Sequence, residues 1–127
     1  MAVASTNSDQ LISVLRDTIV GLVRRDGVDL SSRQLGVFLT CYLRDGGHTV
    51  RGLAAELNVS KPAITRALDR LGELDLARRK VDPLDRRSVL VQRTPKGSAF
   101  LRDVNKLIAE SVNPKKSSAK EGRRAAG

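Results

Sequence analysis

Aromatic side chains are almost missing from this chain. Phe38, Tyr42 and Phe100 are the whole set, 2% of 127 residues, and there is no tryptophan. Single-strand binders stack bases on aromatic platforms, and the RNA-recognition sheet presents aromatics as well, so both classes are disfavoured. One cysteine, Cys41, excludes an internal disulfide and any cysteine-based zinc cluster. One histidine, His48, leaves no His pair and no His-rich metal site. There is no Gly-rich phosphate loop and no nucleophile–base set, so nothing in the sequence points to an enzyme. No run approaches the roughly 18 apolar residues of a spanning helix. Met1-Ala2-Val3-Ala4-Ser5-Thr6-Asn7 has neither the charged start nor the apolar core of a signal peptide. The expectation is a cytoplasmic protein with no membrane association, no cofactor and no metal.

Positive charge, by contrast, is abundant. The formal net charge is +9 and the pI about 10.6 on a chain of 13.8 kDa, long enough for one modest core. Such a balance favours a polyanionic partner, nucleic acid or an anionic membrane surface. Duplex DNA read by a helix needs no aromatics, so the composition leans to double-stranded DNA.

The chain is organised around Leu57-Asn58-Val59-Ser60-Lys61-Pro62-Ala63-Ile64-Thr65-Arg66-Ala67-Leu68-Asp69-Arg70-Leu71. Asn58 tolerates a left-handed backbone and can end one helix. Ser60 can cap the next, with Pro62 in the first turn, where a missing N–H costs nothing. Ala63, Ile64, Ala67, Leu68 and Leu71 fall on one face of that second helix. Ser60, Lys61, Thr65, Arg66, Asp69 and Arg70 fall on the other. A short helix with a small, cationic, hydrogen-bonding outer face fits a DNA major groove.

The rest arranges itself around this helix-turn-helix. Residues 1–8 form a polar leader, with Asn7 or Ser8 as the N-cap of a helix from Asp9 to Arg25. Its apolar band is wider than one side of a small domain needs, so part of it is expected to meet a second copy. Arg24-Arg25-Asp26-Gly27 closes it, and Ser31-Ser32-Arg33-Gln34 is a capping box opening a helix to about Arg44. After Asp45-Gly46-Gly47 comes a minimal strand at His48-Thr49-Val50, with Thr49 capping a helix over Val50–Leu57. Gly72-Glu73-Leu74-Asp75 ends the reading helix, Asp75 taking a left-handed backbone. Leu76–Lys80 and Ser88–Thr94 read as strands of a β-hairpin whose turn-rich tip is Val81–Arg87. A last helix runs from Lys96 to about Ser111, and residues 113–127 are a cationic tail expected to be disordered. The expected fold is mainly α with a small β-hairpin: a winged helix-turn-helix over 31–95. Residues 9–30 and 96–112 supply the dimerisation helices.

This order, together with three stretches, resembles the MarR family of bacterial transcription regulators over residues 31–101. The carrying residues are Leu53-Ala54-Ala55-Glu56-Leu57-Asn58-Val59-Ser60, then Thr65-Arg66-Ala67-Leu68-Asp69-Arg70-Leu71, and Asp82-Pro83-Leu84-Asp85-Arg86-Arg87 ending at Thr94-Pro95-Lys96-Gly97. The resemblance implies a homodimer whose two reading helices enter successive major grooves, with half-sites about one turn, ~10 bp, apart. It also implies wing arginines at the flanks: Arg87 in the minor groove, Arg86 near the backbone and Asp85 orienting the wing. A narrow A·T-rich minor groove attracts such an arginine, and a planar Asp85–Arg87 pairing is expected before DNA arrives.

On the reading helix Ser60, Lys61, Pro62, Thr65, Arg66 and Arg70 are the candidate DNA contacts. Arg66 can donate two hydrogen bonds to guanine, and Pro62 can touch a thymine methyl. Asp69 is expected either to restrain Arg66 or Arg70 or to accept from cytosine. Thr49 and Arg51, at the start of the preceding helix, suit a phosphate. The dimer interface is expected from Leu11, Leu15, Ile19 and Leu22 with Phe100, Leu101, Val104, Leu107 and Ile108. Two positions depart from the family pattern, Asp75 where glycine is usual and Arg93 where leucine precedes the threonine. Many relatives answer to small aromatic ligands or to cysteine oxidation, but no effector pocket is evident here, and Cys41 reads as a small core residue. Repression is the commoner mode. The rival readings are an architectural, sequence-tolerant DNA binder and a winged helix serving as a protein-interaction module. Lys61, Thr65 and Arg66 speak against the second.

Overall fold

Local capping signals fix where each helix begins and ends. The computed structural model describes residues 7–25 and 28–112, so the tail and most of the leader lie outside the described residues. Helix α1 (Ser8–Val23) opens on a reciprocal capping box between Asn7 and Gln10. Helix α2 (Ser32–Leu43) opens the same way on Ser31 and Gln34. Strand β1 (His48–Thr49) leads straight into α3 (Val50–Leu57), capped by the Thr49 hydroxyl at 2.9 Å from the Gly52 N–H. Asn58 ends α3 with φ of 55°, the left-handed conformation its position requires. Ser60 then caps α4 (Lys61–Glu73), and Asp75 makes the second left-handed turn at φ of 58°.

Strands β2 (Ala77–Asp82) and β3 (Asp85–Arg93) form the wing, and α5 (Pro95–Val112) closes the chain. The expected hairpin is one part of a larger sheet. His48 and Thr49 pair antiparallel with Val91 and Leu90, which gives a three-stranded order β1-β3-β2. This pairing satisfies one edge of β3 that a hairpin alone would leave open.

The chain forms two compact units, one from the described parts of residues 1–29 and 102–127 and one from Leu30–Leu101. In the second unit the core gathers Val37, Phe38, Leu53, Ile64, Leu68, Leu71 and Leu76, all essentially buried. Phe38 stacks on Tyr42 at 4.4 Å and meets Phe100 edge-on at 5.2 Å. Phe100 is thereby drawn into the winged-helix core, which is why this unit runs beyond the expected boundary at residue 95. In the first unit Gly21 of α1 lies beneath Leu107 of α5, where an added Cβ would come within 2.7 Å of a Leu107 methyl. Arg25 and Asp103 pair at 2.7 Å across the same two helices.

One buried polar knot ties four elements of the second unit together. The Tyr42 hydroxyl donates to the Leu76 carbonyl at 2.7 Å and accepts the Thr94 N–H at 2.9 Å. The Thr94 hydroxyl donates to the Asp75 carbonyl at 2.6 Å and accepts the Gly97 N–H at 2.9 Å, so it caps α5. Gly97 must be glycine, because a Cβ there would sit 1.8 Å from the Tyr42 hydroxyl and 2.4 Å from the Leu76 carbonyl oxygen. Among the described residues no buried side-chain polar atom lacks a partner. Gly97→Ala should therefore destabilise by about 3 kcal/mol or more through overpacking against backbone. Tyr42→Phe should cost ~1–3 kcal/mol by stranding a buried N–H and carbonyl. Urea unfolding of both variants checks the order.

Candidate nucleic-acid interface

The outer face of α4 carries the residues expected to read DNA. Ser60, Lys61, Pro62 and Arg66 are exposed, Thr65 and Arg70 half-buried. Ser60 accepts the Ala63 N–H at 3.2 Å, as Thr49 accepts from Gly52, but each hydroxyl keeps its own proton for a phosphate or base. Arg66 runs back along its helix, its Nε donating to the Pro62 carbonyl at 3.4 Å, a long contact that leaves the guanidinium ends open.

Carboxylates sort the cations into two groups. Arg70 pairs with Glu73 at 3.6 Å and Arg78 with Asp75 at 2.9 Å. Asp69 pairs with Arg79 of β2 at 2.5 Å, not with Arg66 or Arg70 as the sequence reading expects. The pair straps the reading helix to the root of the wing, and Arg79 is a residue that sequence reasoning missed. Ten positions separate the partners, and no helical or strand periodicity links them. Arg51, Lys61, Arg66, Arg86 and Arg87 are exposed and make no ion pair among the described residues. These five cations lie at the start of α3, along α4 and at the wing tip.

The wing tip is built by two aspartates. Asp82 accepts the Leu84 N–H at 2.9 Å, and Asp85 accepts the Arg87 N–H at 3.1 Å and the Ser88 hydroxyl at 3.3 Å. The expected pairing of Asp85 with the Arg87 guanidinium is not formed; the carboxylate accepts from the turn's own donors instead. The register jumps from Val81↔Val89 to Asp82↔Asp85, so Arg86, Arg87 and Ser88 are bulged out of the ladder.

Arg93, the residue without an evident role in the sequence, caps the end of α2. Its Nε donates to the Cys41 carbonyl at 2.9 Å and its guanidinium end to the Arg44 carbonyl at 3.3 Å, above the Tyr42 ring at 5.5 Å. A cation at a helix C-terminus satisfies carbonyls that have no partner in the helix. His48 Nε2 donates to the same Arg44 carbonyl at 2.9 Å and is structural. Among the described residues no cluster of three or more His, Cys, Asp or Glu could hold a metal, and no helix is long and apolar enough to cross a membrane.

The residues expected at a dimer interface divide by exposure. Leu11, Leu15, Ile19 and Ile108 are exposed, while Leu22, Leu101 and Leu107 are half-buried. Phe100 and Val104 are 5% exposed each, so both are taken up within the chain and have little surface left to offer.

Cys41 is buried, and burial pushes its thiol from 9.0 up to about 11, the Arg93 charge opposing only in part. The folded state thus holds the proton more tightly than the unfolded chain. Its contribution to stability is whole below pH 9 and is lost as pH rises from 9 towards 11. Cys41→Ala should flatten that decline in thermal unfolding, and the native thiol should resist alkylation at pH 8 until the protein is unfolded.

Residues 28–88 match the model of the MarR family. No curated protein sequence matches the chain. Among solved structures, the transcriptional regulator Tm0710 from Thermotoga maritima is 21% identical with a TM-score of 0.71, covering 93% of this chain and 82% of that one. The transcriptional repressor CouR, solved on a 23-mer DNA duplex, is 26% identical with a TM-score of 0.66, over 93% of this chain and 82% of its own. The S. aureus MepR–DNA complex shares the fold at 18% identity and a TM-score of 0.66, over 94% and 92% of the two chains. Over residues 28–88, which hold the winged helix, the chain is thus similar to the MarR family.

Proposed function

We propose that this regulator binds a palindromic operator on double-stranded DNA as a homodimer in the cytoplasm and acts there as a repressor. The observation that carries the reading is placement: Arg51, Lys61, Arg66, Arg86 and Arg87 stand exposed and without a carboxylate at the start of α3, on α4 and at the wing tip. Unpaired cations on a reading helix and a wing tip are arranged for phosphates and groove edges. Arg66 contacts a base, with Pro62 and Thr65 beside it. Ser60, Lys61, Thr49 and Arg51 hold phosphates, and Arg70 stays near the backbone, its charge shared with Glu73. Arg87 enters the flanking minor groove and Arg86 the adjoining backbone, in a wing that Asp85 shapes from within.

Dimerisation is supported by an apolar stripe on α1 in which Leu11, Leu15, Ile19 and Val23 recur every fourth residue and stay exposed, Leu11 by 59%. Ile108 and Val112 continue the pattern on α5. An isologous contact of such faces removes them from water. No feature of the described residues marks a small-molecule effector. The second reading, an architectural binder that coats DNA without preference, is favoured by the charge of +9 and the basic residues of 113–127.

Selection of random duplexes by the purified protein at two salt concentrations separates the two. A palindromic motif with half-sites about one turn apart that survives higher salt is expected. A featureless pool that collapses with salt would establish the coating mode. Arg66→Ala should relax preference at one position per half-site by ~1–3 kcal/mol. Arg87→Ala should weaken binding through the flanks, and Arg86→Ala should lower the salt slope by about 1. Leu15→Glu should shift the protein to monomer in sedimentation and weaken operator binding, with the winged-helix unit still folded.

A further inference from the structure

The wing tip presents an aliphatic side chain to solvent between arginines. Leu84 is 95% exposed, the most exposed large apolar residue among those described, and Val81 on the same end of the hairpin is 54% exposed. A leucine on a loose loop would mean little. This one is held from both sides. Its own N–H is tied to Asp82, Pro83 before it has a fixed φ, and Asp85 after it is tied to Arg87 and Ser88. Both carboxylates are turned into the turn, so the outward surface is Pro83 and Leu84, flanked by the bulged Arg86 and Arg87.

A partner for that tip must offer apolar walls with anionic charge on either side. An apolar protein pocket supplies the first and offers the flanking guanidinium groups no anion. A DNA minor groove supplies both, with deoxyribose walls between two lines of phosphate. Leucine and proline are also among the residues that open base steps from that groove.

Resting on the DNA-binding reading above, we propose that Leu84 is an apolar wedge. It enters the minor groove beside each half-site together with Arg87 and partly opens one base step there. Opening is cheapest at flexible pyrimidine–purine steps, so the flanks are read by deformability at positions where no base edge is contacted. Stiff A-tract flanks, which would suit an inserted arginine alone, are disfavoured by the wedge.

The test uses the full chain and duplexes that share the selected half-sites but carry TA-step, A-tract or G·C flanks, with 2-aminopurine at the flanking step. The wild type should prefer TA flanks over A-tract flanks by about tenfold, equal to ~1.4 kcal/mol, and 2-aminopurine fluorescence should rise on binding. Leu84→Ala should keep the half-site motif and lose both the flank preference and the fluorescence rise. Leu84→Lys should bind random DNA more tightly yet lose the same two signals. Equal flank preference in wild type and Leu84→Ala would overturn the wedge while leaving the DNA reading intact. So would a loss confined to oligomeric state or to capture of a protein partner. A wild type that selects no motif would overturn both.

Discussion

The geometry of the winged helix depends on a single phenol. The Tyr42 hydroxyl is buried where α2, the turn after α4, the end of β3 and the start of α5 converge, and it serves a carbonyl from one and an N–H from another. Buried polar groups of this kind are costly when stranded and directional when satisfied. Thr94 completes the junction by capping α5 and holding the Asp75 carbonyl, and Gly97 makes room for it. Because β2 starts directly after Leu76 and β3 ends directly before Thr94, both strands of the wing leave from this point. The wing's direction relative to α4 is set there.

A second layer of constraint is electrostatic. Asp69 and Arg79 join the outer face of the reading helix to the wing root, and Arg78 is held by Asp75. These exposed pairs contribute little to stability individually. Their consequence lies in what they leave over, since a carboxylate that engages one arginine lowers the local field acting on its neighbours. Five cations without such partners, Arg51, Lys61, Arg66, Arg86 and Arg87, stand on surfaces that a duplex would meet. Arg93 shows the opposite use of charge. Its guanidinium donates to the carbonyls that end α2, so the arginine that departs from the expected leucine is a helix cap.

The two compact units divide the apolar surface in different ways. In residues 30–101 the large apolar side chains are buried or half-buried apart from Leu43, Val81 and Leu84, which are left in solvent. The described parts of residues 1–29 and 102–112 leave a four-residue periodic stripe uncovered on α1, although Gly21 packs closely against Leu107 on another face of that helix. A helix with apolar groups on more than one face is completed only by a second apolar surface.

Wherever the controlling physics is local, the sequence was sufficient. Asn58 and Asp75 are left-handed because each ends a helix, Thr49 and Ser60 are N-caps, and Ser31 with Gln34 forms a capping box. The inward face of α4 follows from 3- and 4-residue spacing alone. Long-range partners were not legible, because backbone periodicity says nothing about which distant group a side chain will find. Arg93 meets carbonyls 52 and 49 residues away, Asp69 selects Arg79 over the arginines on its own helix, and His48-Thr49 becomes an edge strand on β3. Phe100 and Val104 share one apolar face with Ile108 in the sequence, yet only Ile108 stays exposed. The sequence by itself determined which helices form and which residues line them. The tertiary structure decided which charges remain without partners and which apolar groups remain in water, since both depend on contacts between segments far apart in the chain.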